Sequence, residues 1–240
     1  MSHFDPARLP ILQGETHVSF SDLAQYESTT YSQCGEDGVL ERIFDLIGAQ
    51  SRYFVEFGAW DGEHFSNTAN FRLNQGWTGL LMEGSDRADG EIVRRAFVDA
   101  ENVNALFARY EVPARFDLLS IDIDGNDYWV WKAIEGFTPR VVVIEYNIYF
   151  GTDRAQTMPY DASHTWDETL YHGASLAALQ KLGADKGYAL VHADGWAPNA
   201  FFVLRSDLPE DFIERPLVDI TPWNHFSDSP EVGGRPWQSV

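Results

Sequence analysis

The segment from residue 52 to residue 62, Arg-Tyr-Phe-Val-Glu-Phe-Gly-Ala-Trp-Asp-Gly, constrains the fold of this chain more than any other. It opens with aromatic and β-branched residues, which are typical of a buried strand. Glu56 and a turn containing Gly58 and Gly62 follow, and glycines allow close approaches that a Cβ would forbid. Because open α/β sheets bind ligands where their strands end, the segment predicts a nucleotide-like pocket. The alternative is a strand and turn in an ordinary α/β core.

The chemistry of this turn narrows the choice of ligand. A dinucleotide pyrophosphate is usually bound by an uncharged Gly-x-Gly-x-x-Gly loop, which the turn lacks. The turn carries Glu56, Asp61 and Glu63 instead, and carboxylates repel a diphosphate. Acids favour a ligand with cationic groups and a ribose. S-adenosyl-L-methionine (SAM) has an ammonium, a sulfonium and a diol, so we expect it as the cofactor.

Length and charge limit the class of protein. A chain of 240 residues is long enough for one sizeable core. The formal charge of −20, from 37 acids and 17 bases, argues against a nucleic-acid or anionic-membrane partner. The single Cys34 excludes an internal disulfide and a zinc site built from cysteines. Neither a membrane-spanning run nor a leader segment is visible, so we expect a cytoplasmic protein.

The periodicity predicts five strand–helix units closed by a β-hairpin. A helix is expected to begin near Ser32 and to end at Gly48, with Ser32 and Gln33 either touching the ligand or capping the helix. The predicted strands include residues 52–56, 78–83, 95–98, 116–125 and 140–147, and the hairpin pairs residues 187–192 with 199–204.

Acids follow the second and third predicted strands. Glu83 lies 27 residues after Glu56, one strand–helix–strand unit away, where an acid is expected to bind a ribose diol. Asp99, Glu101 and Asn102 are candidates for hydrogen bonds to an adenine amino group or to the ribose. A cluster that caps the next helix would have the same sequence, so both interpretations stay open.

Polar residues also end the fourth and fifth predicted strands. Asp122 and Asp124 point the same way in an extended chain, and Glu145 and Asn147 would join them if the two strands are neighbours. Four oxygen ligands suit Mg²⁺ or Ca²⁺. Alternatively, they position the methionine end of the cofactor and the substrate by hydrogen bonds. We favour the second interpretation and expect no metal, because no histidine ends these strands.

Residues 149–169 form an insertion rich in aromatic and polar side chains, which predicts a lid over a small-molecule acceptor. A satellite apolar cluster beneath a loop is the alternative. His164 and His172 are candidate general bases because imidazole titrates near neutral pH. The proline-rich tail carries Trp223 and Trp237, which suggest docking on the body of the protein or on a second subunit of a homodimer.

Several motifs together resemble class I SAM-dependent methyltransferases, and more closely the FkbM-type branch. They are Ser32-Gln33 with Glu36-Asp37, the segments 54–62 and 79–83, Glu101 to Asn104, and the segment 117–125. The resemblance covers roughly residues 30–205. It implies a Rossmann-like α/β sandwich with a mostly parallel seven-stranded sheet and a terminal antiparallel hairpin. The domains would be an N-terminal arm or lid (1–30), the SAM-binding domain (31–206) and an irregular C-terminal tail (207–240).

The resemblance implies that residues 56–62 cradle the amino-acid part of SAM, Glu83 holds the ribose and the Glu101 region lies near adenine. One departure from the usual turn is Trp60, which stands where the family has the middle of three alternating glycines. The candidate cofactor-binding residues are Gln33, Glu56, Gly58, Ala59, Trp60, Asp61, Gly62, Glu83, Glu101, Asn102 and Asp122, and the candidate catalytic residues are Asp124, Tyr146, Asn147 and His172.

The expected activity is methyl transfer from SAM to an oxygen or nitrogen atom of a small molecule in specialised metabolism. Methyl transfer from a sulfonium needs chiefly positioning, since the leaving group is already activated. Three other functions stay open because fold does not fix function. They are cyclisation or lysis of SAM that releases methylthioadenosine, NAD-dependent oxidoreduction, and SAM binding without catalysis.

Overall fold

The computed structural model describes residues 20–194, 198–220 and 233–240. Residues 1–19 of the predicted arm, Trp223, and residues 195–197 between the hairpin strands lie outside the described residues. The α-helices are α1 (Glu36–Ile47), α2 (Ala69–Gln75), α3 (Val103–Arg109), α4 (Asp127–Ala133), α5 (Leu176–Asp185) and α6 (Leu217–Ile220), and 3-10 helices span Phe20–Tyr26 and Arg205–Asp207. The strands are β1 (Tyr53–Phe57), β2 (Thr78–Glu83), β3 (Val93–Arg95), β4 (Arg115–Ile121), β5 (Thr138–Glu145), β6 (Gln156–Thr157), β7 (Tyr188–Ala193), β8 (Asn199–Leu204) and β9 (Gln238–Ser239).

Seven strands form one sheet in the order β3-β2-β1-β4-β5-β8-β7. The first five are mutually parallel, whereas β8 pairs antiparallel with both β5 and β7. This sheet confirms the predicted α/β fold with a mostly parallel seven-stranded sheet and a terminal antiparallel hairpin. The third strand differs slightly from its prediction, because it pairs with β2 over Val93–Arg95 and ends before Val98.

Both faces of the sheet are buried, and alternate residues of each strand supply two cores. Val55 and Phe57 of β1 belong to the core that includes residues of α3, α4 and α5. Phe54 belongs to the opposite core, which includes residues of α1 and α2. Glu56 therefore shares the face of Phe54, and this alternation decides where its carboxylate lies.

The strand order reverses between β1 and β4, because β1 is followed by β2 on one side and has β4 on the other. Such a switch point opens a crevice at the carboxyl ends of the strands. The two chain segments come very close there. Gly58, which follows β1, has a φ of +70°, and a Cβ on it would overlap the carbonyl oxygen of Asp122, which follows β4. Only glycine fits this approach without moving the backbone.

The C-terminal segment fastens the insertion to the body of the protein. Strand β9 pairs antiparallel with β6, which lies inside the insertion. Trp237 packs against Phe150 and Tyr171, with ring centres 4.7 and 4.8 Å away. Arg235 donates a hydrogen bond to Asp167 at 2.7 Å. The sequence suggested that Trp237 docks on the body of the protein or on a second subunit. In the structure this side chain packs against Phe150 and Tyr171 of its own chain.

Within residues 20–194, 198–220 and 233–240, no helix has both the length and the apolar character to cross a membrane.

Candidate active site

A cavity of about 680 Å³ lies at the carboxyl ends of the parallel strands, above the switch point. Its volume is within the usual range for small-molecule sites. The lining comes from the turns after β1, β2, β4 and β5, from the segment after β3, and from the insertion. Seven predicted site residues line it: Gln33, Gly58, Trp60, Glu83, Asp122, Asp124 and His172.

Glu83, at the end of β2, is held in place by two backbone amides. Its Oε2 accepts a hydrogen bond from the Trp60 amide at 3.1 Å, and its Oε1 accepts one from the Ser85 amide at 2.7 Å. The side chain is largely buried, yet the residue lines the cavity. Each carboxylate oxygen retains a lone pair after these bonds. Glu83 is therefore a fixed acceptor, available to hydroxyl groups of a ligand.

Asp122, Asp124 and Glu145 form what we call the acidic cluster. Each offers a carboxylate oxygen, and these three oxygens lie within 4.8 Å of one another. The register explains their meeting, because Ile121 pairs with Ile144 and so the next residues, Asp122 and Glu145, are side by side. Asp124 joins them from the turn, where its backbone has a φ of +55°. The convergence predicted for these three acids is present.

Burial and mutual repulsion raise the pKa values in the acidic cluster. Burial raises the pKa of Asp122 well above its usual value, and the charges of Glu145 and Asp124 raise it further. Burial also raises the pKa of Glu145 well above its usual value. For Asp124, burial raises the pKa while the nearby His172 partly lowers it. The cluster therefore favours either bound protons or a bound positive charge.

His172 lies beside the acidic cluster. Its Nδ1 is 3.6 Å from Oε2 of Glu145, which is too long for a hydrogen bond, and both atoms are buried without a hydrogen-bond partner. Burial lowers the pKa of His172, which favours the neutral imidazole. Asp124 and His172 thus line the cavity, as does His164, the other candidate general base.

Aromatic side chains also line the cavity. Trp60 and Phe65 pack edge to face with ring centres 5.5 Å apart, and the Arg87 guanidinium lies 4.0 Å from the centre of the Trp60 ring. Trp60 occupies a left-handed backbone conformation with a φ of +47°, which a bulky residue rarely adopts. This turn exposes the indole to the cavity rather than to the core.

Glu56 differs from its expected role, because its carboxylate faces the protein rather than the cavity. It accepts hydrogen bonds from the hydroxyls of Ser66 and Thr68, at 2.6 and 2.5 Å, and from the Asn67 amide at 2.8 Å. Burial raises the pKa of Glu56, against the opposing effect of these hydrogen bonds. Glu56 anchors the chain between β1 and α2 and does not line the cavity.

Tyr146 and Asn147 also lie outside the cavity lining, so their predicted catalytic roles are not supported. The Tyr146 hydroxyl donates to the Asp194 carbonyl at 2.9 Å. Asn147 donates to the carbonyls of Leu170 and His172, at 2.9 and 3.0 Å, and its Oδ1 accepts from the amide of Tyr149. The role of Asn147 is to fasten both ends of the insertion, including the segment that carries His172.

The other predicted cofactor-binding residues support the walls of the cavity. The Ala59 amide donates to Met82, the Gly62 amide donates to Ala59, and Asp61 accepts bonds from the amides of Glu63 and His64 within its own turn. Glu101 is exposed outside the lining.

Asn102 lies at the start of α3. It donates to the Phe97 carbonyl at 2.9 Å and accepts a bond from the Asp99 amide at 3.1 Å. Asn102 stands at the N-cap position of α3, but its side chain makes no capping hydrogen bond and bonds instead to Asp99 and to Phe97, a residue of the cavity lining.

Sequence reasoning did not select several lining residues. Those absent from the predicted site include His64, Phe65, Ser85, Arg87 and Phe97. Glu145 was expected to join Asp122 and Asp124 if β4 and β5 are neighbours, as they are. The loop residues carry no such positional signal, because their places depend on how each loop folds over the sheet.

The residues present fit a SAM molecule in their donor and acceptor chemistry. Glu83 suits a ribose diol, and the amide of Gln33 suits a carboxylate. The acidic cluster suits a positive charge, and the close approach at Gly58 keeps the floor of the crevice free of a side chain. Three carboxylate oxygens within 4.8 Å of one another are also a donor set that a divalent cation accepts.

Among known proteins, similarity to this chain was found in solved structures and not in family models or curated proteins. The chain matches no protein-family model and no curated protein. It resembles the MycE methyltransferase from the mycinamycin biosynthetic pathway, solved in complex with Mg, SAH and mycinamycin VI, with 17% identity, a TM-score of 0.45, and coverage of 81% of this chain and 56% of that chain.

Two further solved structures show similarity of the same kind. For the CurJ carbon methyltransferase the identity is 11% and the TM-score 0.42, with coverage of 70% of this chain and 52% of that one. For the citrinin polyketide synthase CMeT domain the identity is 11% and the TM-score 0.35, with coverage of 70% and 51%. The match therefore spans little more than half the length of each of these solved chains. We base the functional proposal on the geometry of the site.

Proposed function

We propose that this protein is a SAM-dependent methyltransferase that acts on an oxygen or nitrogen atom of a small molecule. The observation that carries the proposal is the position of Glu83. Its carboxylate is fixed by the amides of Trp60 and Ser85 and lines the same cavity as the acidic cluster. An acceptor for a ribose diol and a site for positive charge are thereby combined at the switch point of the sheet.

The charge of the lining favours SAM over a dinucleotide. Glu83 and the three acids of the acidic cluster line the cavity, and Arg87 is the one arginine or lysine among its described lining residues. A diphosphate would meet repulsion from these carboxylates. A ligand with a sulfonium and an ammonium would be attracted, so the NAD-dependent alternative is disfavoured.

Within the proposed site, each part of the chain has a separate task. Glu83 binds the ribose hydroxyls, and the aromatic wall around Trp60 excludes water and contacts the ligand. Bound SAM supplies an activated methyl group on sulfur, so the chain needs chiefly to align the acceptor. An attacking hydroxyl loses its proton as its oxygen forms the bond to carbon, and Asp124 and His172 are the side chains placed to accept that proton.

Calorimetric titration with SAM tests the proposal. We expect binding on the micromolar scale. Glu83→Ala should weaken it about tenfold to a hundredfold, since hydrogen bonds to a charged acceptor contribute about 1.5–3 kcal/mol each. The control is Glu63→Ala, which removes an exposed acid from the turn after β1 that does not line the cavity. Unchanged SAM affinity in Glu83→Ala would remove Glu83 from the site.

Analysis of the products separates the possible reactions of SAM. Incubation with a library of small-molecule acceptors, followed by mass spectrometry, should yield adenosylhomocysteine and an acceptor heavier by one methyl group. Methylthioadenosine would indicate cyclisation or lysis instead. Tight SAM binding with neither product would support the non-catalytic alternative.

A further inference from the structure

We propose that the acidic cluster binds a hard divalent cation, Mg²⁺ or Mn²⁺, at the floor of the cavity beside the SAM site. The proposal deepens the methyltransferase function and rests on it for the identity of the neighbouring ligand. It differs from our expectation from the sequence, which favoured hydrogen bonding by these acids without a metal. Three observations support the cation: the spacing of the three carboxylates, the buried Oε2 of Glu145, which lacks a hydrogen-bond partner among the described residues, and the acids that surround the cluster.

The spacing suits a single ion. Three carboxylate oxygens, from Asp122, Asp124 and Glu145, lie within 4.8 Å of one another. An ion with oxygen ligands at about 2.1 Å places adjacent ligands about 3 Å apart and opposite ligands about 4.2 Å apart. A slight closing of the cluster around the ion therefore produces the required distances. Three protein ligands on one side leave the cavity side open for water and for the acceptor.

Glu145 is the second and independent indication of a ligand. Its side chain is 8% exposed, the residue lines the cavity, and Oε2 has no hydrogen-bond partner among the described residues. Two other buried acids of this chain, Glu56 and Asp117, do have such partners. Glu56 accepts three hydrogen bonds, and Asp117 accepts bonds from the Arg140 guanidinium and from the amides of Gln50 and Arg52. A buried carboxylate oxygen without such partners requires compensation from a ligand.

The groups around the acidic cluster include further acids. Glu83 and Asp127 add negative charge to the surroundings of Asp124 and Glu145. His172 and His164 are the neighbouring nitrogen bases, and Nδ1 of His172 lies 3.6 Å from Oε2 of Glu145. Arg87, the cationic side chain of the described lining, stacks on the Trp60 ring, 4.0 Å from its centre. A divalent cation balances three carboxylates better than the single charge of a sulfonium.

A cation in this position would also select the acceptor. Hard divalent ions prefer oxygen ligands, and a bound hydroxyl loses its proton more easily than a free one. The substrates expected from this arrangement are small molecules that present an oxygen to the ion next to the atom that receives the methyl group. Among acceptors for the proposed reaction, oxygen nucleophiles are thus favoured over amines.

Titration with Mn²⁺ tests the site directly. The full chain, freed of metal with a chelator, is titrated with Mn²⁺ while electron paramagnetic resonance measures the free ion. We expect one ion per chain, and at least tenfold weaker binding in both Glu145→Gln and Asp122→Asn. Glu63→Gln, which removes an exposed acid outside the lining, is the matched control and should bind Mn²⁺ as the wild type does.

The variants are expected to fold, because each carboxamide removes a repelling charge and keeps the shape of the side chain. Circular dichroism in chelator checks this. Failure to bind one Mn²⁺ per chain would overturn the proposal. Equal weakening by Glu63→Gln, or wild-type affinity in Glu145→Gln, would overturn it as well.

A parallel titration with SAM separates this inference from the methyltransferase proposal. One Mn²⁺ bound through Glu145 without any SAM binding would support the cation site and refute the methyltransferase. SAM binding without Mn²⁺ binding would support the methyltransferase and refute the cation site. Release of one Mn²⁺ for each SAM bound would show that the acidic cluster receives the charge of SAM itself, which overturns a cation beside SAM.

Discussion

Replacing Gly58 with alanine perturbs the closest approach between the turn after β1 and the end of β4. Gly58 has a φ of +70°, and a Cβ there would lie 2.9 Å from the carbonyl carbon of Asp122 and closer still to its oxygen. Since real Cβ contacts essentially never fall below 3.0 Å and the oxygen would lie far inside that distance, the Asp122 carbonyl must move away by more than about an ångström. The left-handed backbone costs alanine about 1–2 kcal/mol, and overpacking about 1–3 kcal/mol more.

The free energy of unfolding of Gly58→Ala should therefore fall by about 2–5 kcal/mol, measured by urea denaturation. Gly76→Ala is a matched control, because Gly76 also has a φ of +70° and a Cβ there would meet no atom within 4 Å. The free energy of unfolding of Gly76→Ala should fall only by the cost of the left-handed backbone, about 1–2 kcal/mol. Affinity for SAM should fall in Gly58→Ala and not in Gly76→Ala, since one displaces Asp122 and the other lies outside the lining. Equal losses of stability in the two variants would refute the close approach.

Three further predictions concern groups that support the site. Burial raises the pKa of Glu56 above its unfolded value of about 4.3, so the folded state loses stability as pH rises and this carboxyl ionises. In denaturation between about pH 4 and pH 7, Glu56→Gln should thus gain stability relative to the wild type as pH increases, and a constant difference would contradict this. Asn147→Ala should lower the free energy of unfolding by about 2–3 kcal/mol and speed hydrogen exchange in residues 149–172, because three hydrogen bonds are lost. Arg140→Met leaves the buried Asp117 without its ion pair and should cost about 3–5 kcal/mol in urea denaturation, whereas a loss below about 1 kcal/mol would show that Asp117 is otherwise compensated.

Residues at the ends of strands were predictable from the sequence, and the reason is geometric. The carboxyl ends of parallel strands meet at one edge of the sheet, so an acid at such an end has a known position once the strands are recognised. Glu83, Asp122 and Asp124 follow this rule and line the cavity. The alternation of strand and helix patterns, a local property of the chain, likewise indicated the succession of strand–helix units, whereas the mostly parallel seven-stranded sheet was implied by the family resemblance.

Other site residues failed this rule for two separate reasons. In β1 the side chains alternate between faces, and Glu56 shares the face of Phe54 with α1 and α2, so its carboxylate bonds to the start of α2. Asn147 lies beyond β5, and its partners Leu170 and His172 are 23 and 25 residues away. Such long-range contacts depend on the path of the insertion, which strand periodicity does not encode.

The buried acids of this chain differ in compensation between the two ends of the sheet. Near the start of β4, Asp117 is neutralised by an arginine and by two backbone amides. At the opposite end, the buried Glu83 and Glu145 line a cavity beside the half-buried Asp122 and the exposed Asp124, and Oε2 of Glu145 has no hydrogen-bond partner among the described residues. Because an uncompensated buried charge is costly, the cavity is built for an occupant that brings positive charge. Affinity for NAD equal to that for SAM would contradict this reasoning, since the diphosphate adds negative charge where the protein already has an excess.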